Sequence, residues 1–303
     1  MHHDSQPKIG VAFGSGSAKG VAHLGVLKVF EEHNFPIHYV AGSSIGAIVG
    51  AYYAMHPKYE SVKNLVYTMS EKKLSSVLDI TVRGGLIKGD KIENLLAEIL
   101  PERFDKLTLP FAAVATDLTN AEVIVMQSGN LIKAVRASMS IPGFLRPVEI
   151  GTRILADGGL SNPVPVDVVR QMGADIVIGV NLDTLYVKNA VAAIPPLARI
   201  PSRSINILRH HLALKSTRSA DVTIAPLVYS GVISWRDFFT KSKIDEFVTE
   251  GERAAREAIP LIKSVIDGYG RSSISKKSPW YLPIGLGQKI LNRLKRMGIE
   301  DAN

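Results

Sequence analysis

The chain contains no cysteine and no run of eighteen apolar residues in its 303 positions. Without cysteine there are no disulfides and no thiolate metal sites, which suits a reducing compartment. Without a long apolar run, no membrane-spanning helix is expected. The first residues, Met1-His2-His3-Asp4-Ser5-Gln6-Pro7, lack the charged-then-apolar pattern of a signal peptide, so the expected location is the cytoplasm. Acidic residues are the minority charge, 28 against 36 Lys and Arg, for a net charge of +8. The excess is local. Residues 271–303 hold seven bases (Arg271, Lys276, Lys277, Lys289, Arg293, Lys295, Arg296) against Glu300 and Asp301, leaving only +3 for the preceding 270 residues. A nucleic-acid surface needs bases along the body of a domain, so none is expected; an anionic partner for the tail is.

What is present is organised around Gly42-Ser43-Ser44-Ile45-Gly46. Before it runs the short apolar segment Ile37-His38-Tyr39-Val40-Ala41, read as a buried strand. After it comes Ala47–Met55, apolar and long enough for a helix. Strand, sharp turn and helix are the setting in which Gly-x-Ser-x-Gly acts as a nucleophile elbow. Ser44 is the central serine, on a strained turn with its hydroxyl held clear of the sheet. Ser43 occupies an x position. Gly42 and Gly46 are required because a Cβ at either would collide where strand and helix pass.

Upstream, Lys8–Phe13 reads as a first strand, followed by Gly14-Ser15-Gly16-Ser17-Ala18-Lys19-Gly20 and then a helical apolar pattern over Val21–Phe30. As a dinucleotide loop this lacks the Gly-x-Gly-x-x-Gly spacing, and no acidic residue ends the next strand to hold a ribose. Nor does it fit a Walker loop. Successive small residues before a helix do suit an oxyanion hole, in which backbone N–H groups converge on one point and the helix adds its positive end. The amide after the nucleophile, Ile45, is the usual further donor.

Strands are also expected at Phe111–Thr116, Glu122–Met126, Arg153–Ala156, Ala174–Asn181 and Asp221–Ala225. Helices are expected near Lys58–Met69, Asp90–Leu100, Asn130–Met139, Val166–Met172, Ser204–Lys215 and Ser242–Ile266. Asp90 with Glu93 has the form of a capping box. Arg83–Gly89 is read as a flap, and Asp183–Pro201 as irregular. The alternation predicts an α/β fold with a mostly parallel central sheet flanked by helices. One strand delivers Asp157-Gly158-Gly159 at its C-terminal end, where sheet-topped sites keep catalytic carboxylates. As a general base Asp157 would need its pKa lifted from about 3.9, which partial burial provides.

Taken together and in this order, the glycine-rich loop ending Lys19-Gly20, His23-Leu24-Gly25-Val26-Leu27, Gly42-Ser43-Ser44-Ile45-Gly46, Ala137-Ser138-Met139-Ser140-Ile141-Pro142 and Asp157-Gly158-Gly159 resemble the patatin-like phospholipases, in particular their small bacterial members. The resemblance covers roughly residues 8–181. It implies the patatin-like sandwich and a serine hydrolase of lipid acyl esters working through a Ser–Asp dyad, with no histidine, no metal and no cofactor. Carried over, Ser44 is the nucleophile and Asp157 its base. The amides around Gly16, Ser17 and Ala18, with Lys19 shaping the loop, form the oxyanion hole together with Ile45. Gly14, Gly20, Gly42, Gly46, Gly158 and Gly159 support the motifs. One departure is that Ser15 and Ser17 interrupt the run of glycines; a serine at positive φ would cost about 1–2 kcal/mol.

Two alternatives remain open. A histidine base is allowed by the order Ser…Asp…His, through His210 or His211, whereas His23 reads as a packing residue. A lipid-binding or regulatory module could retain the fold without catalysis. The expected organisation is one catalytic domain, 1–270, and a basic amphipathic tail, 271–303, whose mixture of aromatics, aliphatics and bases suits peripheral attachment to the inner face of an anionic membrane.

Overall fold

Ile9-Gly10-Val11-Ala12-Phe13 carries no charge, and in the computed structural model it is strand β1 (Ile9–Phe13), buried at every position. The structure describes residues 6–71, 87–183, 200–228 and 240–269. After β1 come a short 3₁₀ turn, helix α1 (Ala22–Glu32), strand β2 (Tyr39–Ser43) and helices α2 (Ile45–Met55), α3 (Tyr59–Glu71) and α4 (Asp90–Ile99). Next are β3 (Phe111–Asp117), β4 (Val123–Met126), α5 (Leu131–Ser138), β5 (Val148–Ile150), β6 (Arg153–Asp157), α6 (Val166–Gln171) and β7 (Ile176–Val180). Helix α7 (Ile200–Ser216), strand β8 (Val222–Ile224) and a long helix α8 (Lys241–Gly268) complete the described elements. The chain divides into two units, Met1–Ile266 and Asp267–Asn303, and the expected basic tail lies outside the described residues.

The sheet runs β5-β6-β3-β2-β1-β7-β8, with β4 also pairing β3. Its centre is parallel: β1 pairs β2 and β7, β2 pairs β3, and β7 pairs β8. Antiparallel pairings are confined to the side where β3 meets β4 and β6, and β6 meets β5. Both faces are covered, and the alternation of side chains along each strand divides the core in two. Ile9, Val11, Phe13, Val40 and Phe111 pack with residues of α1, α2 and α8. Ala12, Ala41, Ala112 and Val114 pack with Val166, Val168 and Val169 of α6 and Ala213 of α7.

Helices α1 and α8 approach closely enough for backbone to touch backbone. A Cβ on Gly25 would stand 2.0 Å from the Val248 carbonyl oxygen, and one on Gly251 would stand 2.0 Å from that of Ala22. Lys28–Glu252 and Arg256–Glu32, each at 2.7 Å, flank this crossing. These partly exposed pairs add little; the glycines set the distance.

The capping box expected at Asp90–Glu93 is not formed. Gly89, at φ +94°, is the N-cap of α4 and no side chain caps it. A Cβ at Gly89 would lie 2.0 Å from Nη2 of the buried Arg136, so this site excludes the side chain a capping box needs. Asp90 and Glu93 lie in the first turn, where their charge complements the helix dipole. Residues 83–86 of the expected flap and 184–199 of the expected irregular stretch lie outside the described residues. Strand β5 is short, mixed in polarity, and carries no signal that sequence reasoning detected.

Gly251→Ala should destabilise the domain by about 1–3 kcal/mol through overpacking, although alanine inside a helix ordinarily gains about 1 kcal/mol over glycine. A lower urea midpoint at unchanged m-value checks this; a higher midpoint would show that the helices part without cost.

Candidate active site

Strand β3 brings the two halves of the site together. Its Val114 is in register with Ser43 at the end of β2, and its next residue, Ala115, is in register with Asp157 at the end of β6. Strand β4 pairs residues 113–116 of β3. It therefore occupies the opposite edge, and β2 and β6 meet end to end on the other. Ser44 and Asp157, 113 residues apart in sequence, leave these two strand ends as neighbours.

At the elbow Ser44 has φ 57° and ψ −123°, a conformation that non-glycine residues avoid. Two features hold it there. The Ser44 N–H donates to Ser138 Oγ at 2.9 Å, while the Ser138 hydroxyl donates to the Val114 carbonyl at 2.6 Å, tying the elbow to α5 and β3. The turn is also wedged: a Cβ on Gly42 would lie 2.2 Å from the Gly46 carbonyl oxygen, and one on Gly46 would lie 2.1 Å from that of Phe13. No side chain fits at either position.

The Ser44 hydroxyl donates to Asp157 Oδ2 at 2.6 Å, and both residues are under 5% exposed. The other oxygen, Oδ1, accepts the Gly159 N–H at 2.7 Å from the 3₁₀ turn Gly158–Leu160. The Asp157 N–H donates to the Ser140 carbonyl, and Thr116 donates its hydroxyl to the Asp157 carbonyl. Burial pushes the Asp157 carboxyl above its ordinary value. The hydrogen bonds from Ser44 and Gly159 and the charge of Arg209 pull it back, and Asp183 adds to the push. The arrangement is a hydroxyl aimed at a carboxylate whose proton affinity exceeds that of a solvated aspartate, as general-base work near neutrality requires.

The glycine-rich loop follows β1. Ser17–Val21 is a 3₁₀ turn with Gly16 as its N-cap, and its first bond runs from the Lys19 N–H to the Gly16 carbonyl at 3.1 Å. The amides of Gly16, Ser17 and Ala18 precede that bond and have no acceptor inside the turn. The Lys19 amide is engaged by the Gly16 carbonyl. Ser17 adopts φ 53°, so this serine does occupy a strained position. The Ile45 amide likewise precedes the first turn of α2, which Ala47 closes on the Ser44 carbonyl at 2.9 Å. The loop and the elbow are in contact: a Cβ on Gly20 would meet the Ile45 side chain at 2.2 Å. Gly14 anchors the loop, donating to the Val180 carbonyl and accepting from His23 Nε2 at 2.9 Å.

His23 and His210 have other partners. His23 is fully buried, edge-on to Phe13, and burial pulls its pKa down to about 4. Because a carbonyl can only accept, its proton sits on Nε2, and it is neutral at pH 7. His210 Nδ1 bonds the backbone carbonyl of Asp183. The partner of the Ser44 hydroxyl is a carboxylate.

Sequence reasoning missed a buried ionic cluster beside the loop. Lys19 Nζ donates to the Leu182 carbonyl at 2.6 Å and to Asp183 Oδ1 at 2.9 Å. Arg209, from α7, donates through Nε to Asp183 Oδ2 at 2.8 Å and through Nη2 to Oδ1 at 3.1 Å. Burial disfavours the Asp183 charge, but the fields of Arg209 and Lys19 outweigh it and hold the carboxyl below its ordinary value. No motif flags Asp183 or Arg209; only a single lysine in an otherwise small-residue loop hinted that an acid must lie nearby. Ser138, by contrast, lies in a segment already singled out.

A family model described as Patatin-like phospholipase matches residues 11–170. An NTE family protein of Mycobacterium tuberculosis, described as uncharacterized, is 35% identical over 181 residues, 59% of this chain and 50% of that protein. Patatin-like phospholipase domain-containing protein 6 of Homo sapiens is 33% identical over 57% of this chain and 13% of its own. The chain thus spans about half the length of the mycobacterial relatives it matches. Among solved structures, VipD from Legionella pneumophila is similar at 14% identity and a TM-score of 0.48, over 86% of this chain and 67% of that one.

The Asp157 shift carries a stability sign. Its native pKa lies above the unfolded value, so folding favours the protonated form. The associated stability is full below about pH 3.9 and is lost as pH rises through the raised native pKa. Asp157→Asn, which keeps partners for Ser44 and Gly159, should therefore melt higher than the wild type at pH 7. The gap should close toward pH 4. Thermal melts at both pH values check this; a lower melting temperature at pH 7 contradicts it.

Proposed function

The chain belongs to the patatin-like phospholipase family, and from that premise we propose that it is a serine acyl hydrolase cleaving fatty-acyl esters of lipids through Ser44 and Asp157. The observation that carries this is the 2.6 Å contact from the Ser44 hydroxyl to a buried carboxylate at a strained strand-to-helix turn. Ser44 Oγ attacks the ester carbonyl carbon while its proton passes to Asp157 Oδ2. The negative charge now on the former carbonyl oxygen takes hydrogen bonds from the amides of Gly16, Ser17, Ala18 and Ile45, each such donor contributing on the order of 10²–10³ in turnover. Collapse of the tetrahedral species breaks the bond to the alcohol oxygen, which recovers the proton from Asp157. Water then attacks the acyl-enzyme, giving its proton to Asp157, and the fatty acid departs as Ser44 regains its hydrogen.

Asp157 must be ionised to accept the proton, and it titrates above an ordinary carboxyl. kcat/KM should accordingly rise with pH through that raised value and then level off. Ser44→Ala and Asp157→Asn should each lower p-nitrophenyl ester turnover by about 10⁴–10⁶-fold, and Ser44→Ala should abolish labelling by a fluorophosphonate probe. A wild-type protein that the probe leaves unlabelled would instead be a lipid-binding module retaining the fold.

The bases of 271–303 supply the second element of the proposal, attachment to an anionic lipid surface, each base near such a surface contributing about 1 kcal/mol. Removing 271–303 should abolish sedimentation with anionic liposomes at low salt and spare turnover of soluble esters. Undiminished sedimentation would remove the tail from the proposal.

A further inference from the structure

Three side chains converge on Gly159. A Cβ there would stand 2.9 Å from Asp157 Oδ1, 3.0 Å from Ser15 Oγ and 3.1 Å from Arg209 Cδ. The dyad, the glycine-rich loop and α7 are thus separated by one backbone atom, the same residue whose N–H holds Asp157 Oδ1. Behind this point Asp183 bridges the same elements. It accepts from Ser15 Oγ at 3.3 Å and Lys19 Nζ at 2.9 Å in the loop, and from Arg209 Nε at 2.8 Å in α7. Its own N–H is fixed by Asn181 Oδ1 at 2.9 Å at the end of β7.

The charges are nearly all out of water, with side-chain exposures of 4% for Lys19, 1% for Asp183 and 12% for Arg209. As packing this is a poor investment, because apolar side chains of similar volume would hold the elements together at least as well. Its charge count, however, matches the site. Among the described residues, Lys19 and Arg209 carry two positive charges against the two negative charges of Asp183 and ionised Asp157. Removing Arg209 takes away a cation that draws the Asp157 carboxyl down against the push of burial and of Asp183.

We infer that Arg209 and Asp183 are positioning residues for the proposed reaction, the Lys19–Asp183–Arg209 cluster holding the glycine-rich loop against Gly159 and balancing the charge against which Asp157 takes and returns its proton. This rests on the dyad reading above and adds to it two residues that act through others, without touching the reacting atoms. During acyl transfer the negative charge moves from Asp157 to the oxyanion.

The test uses the full chain and two readouts: the pH dependence of kcat/KM on a p-nitrophenyl ester, and the carboxyl ¹³C titration of Asp157 by NMR. Arg209→Gln removes a cation but keeps the Lys19–Asp183 pair. It should move the Asp157 midpoint to higher pH by on the order of one unit. Arg209→Lys retains the charge without the two-pronged contact, so its midpoint should stay near that of the wild type while kcat falls about tenfold. Asp183→Asn should move the midpoint to lower pH; should it fail to fold, the Arg209 pair decides alone. An unmoved midpoint in Arg209→Gln, or the same shift in Arg209→Lys, overturns the inference. If the wild type hydrolyses no ester at any pH, the dyad reading falls, and the NMR titration still decides whether the cluster sets the charge balance at Asp157.

Discussion

A single strand shared by two partners holds this structure's chemistry in place. All seven residues of β3 are buried, and along one edge they pair first with β2 and then, from the next residue on, with β6. Because side chains alternate along a strand, sliding β6 by one residue would turn the Asp157 side chain to the other face of the sheet. Burial of β3 on both faces prevents that slip, since either direction would drive packed side chains out of the core. A separation of 113 residues in sequence is thus reduced to one step of register. The precision of the Ser44–Asp157 contact is set by backbone pairing, with the side chains adding only their last few bonds.

Holding that contact costs stability locally. Ser44 and Ser17 both sit at positive φ, and residues in such regions cost on the order of 1–3 kcal/mol each. Asp157 is buried against its preference for water. What offsets these costs lies outside the site, in the two-sided core and in the glycine-mediated crossing of α1 and α8. That crossing reaches the site through covalent continuity. Gly25 lies two residues beyond His23, whose ring holds the Gly14 carbonyl at the mouth of the loop. Seating α1 on α8 therefore also fixes where the loop begins.

The features legible in the sequence were those in which local chemistry and global position agree. The strands of the parallel centre are short runs of buried apolar residues, and the elbow announces itself through glycines that no other residue can replace. The α/β class with a mostly parallel sheet followed from their alternation. The contact of Asp157 with Ser44 depended on pairing that no local pattern reveals, and the family resemblance suggested it before the register explained it. Asp183 and Arg209 stayed hidden because an aspartate after a strand and an arginine on a helix are ordinary where they stand. Only the three-dimensional arrangement shows that they meet Lys19 away from water. The start of α4 was misjudged for a steric reason: Arg136, reaching the carbonyls of Lys88, Gly89 and Arg146, fills the space a side chain at the N-cap would need.

In the proposed reaction, how Asp157 is held explains why a carboxylate can act without histidine. An imidazole base is free to rotate and to exchange tautomers, so it needs a third group to orient it. Asp157 has one oxygen fixed by the Gly159 amide and the other facing the Ser44 hydroxyl, so orientation is built into the backbone. What a carboxylate lacks is proton affinity near neutral pH, and burial raises that. The hydrogen bonds from Ser44 and Gly159 oppose that push first, and a compensating positive charge, Arg209, opposes it next. In the proposed reaction that is the contribution of the cluster behind Gly159. In that reaction the geometry comes from β3 and the charge balance from Lys19, Asp183 and Arg209.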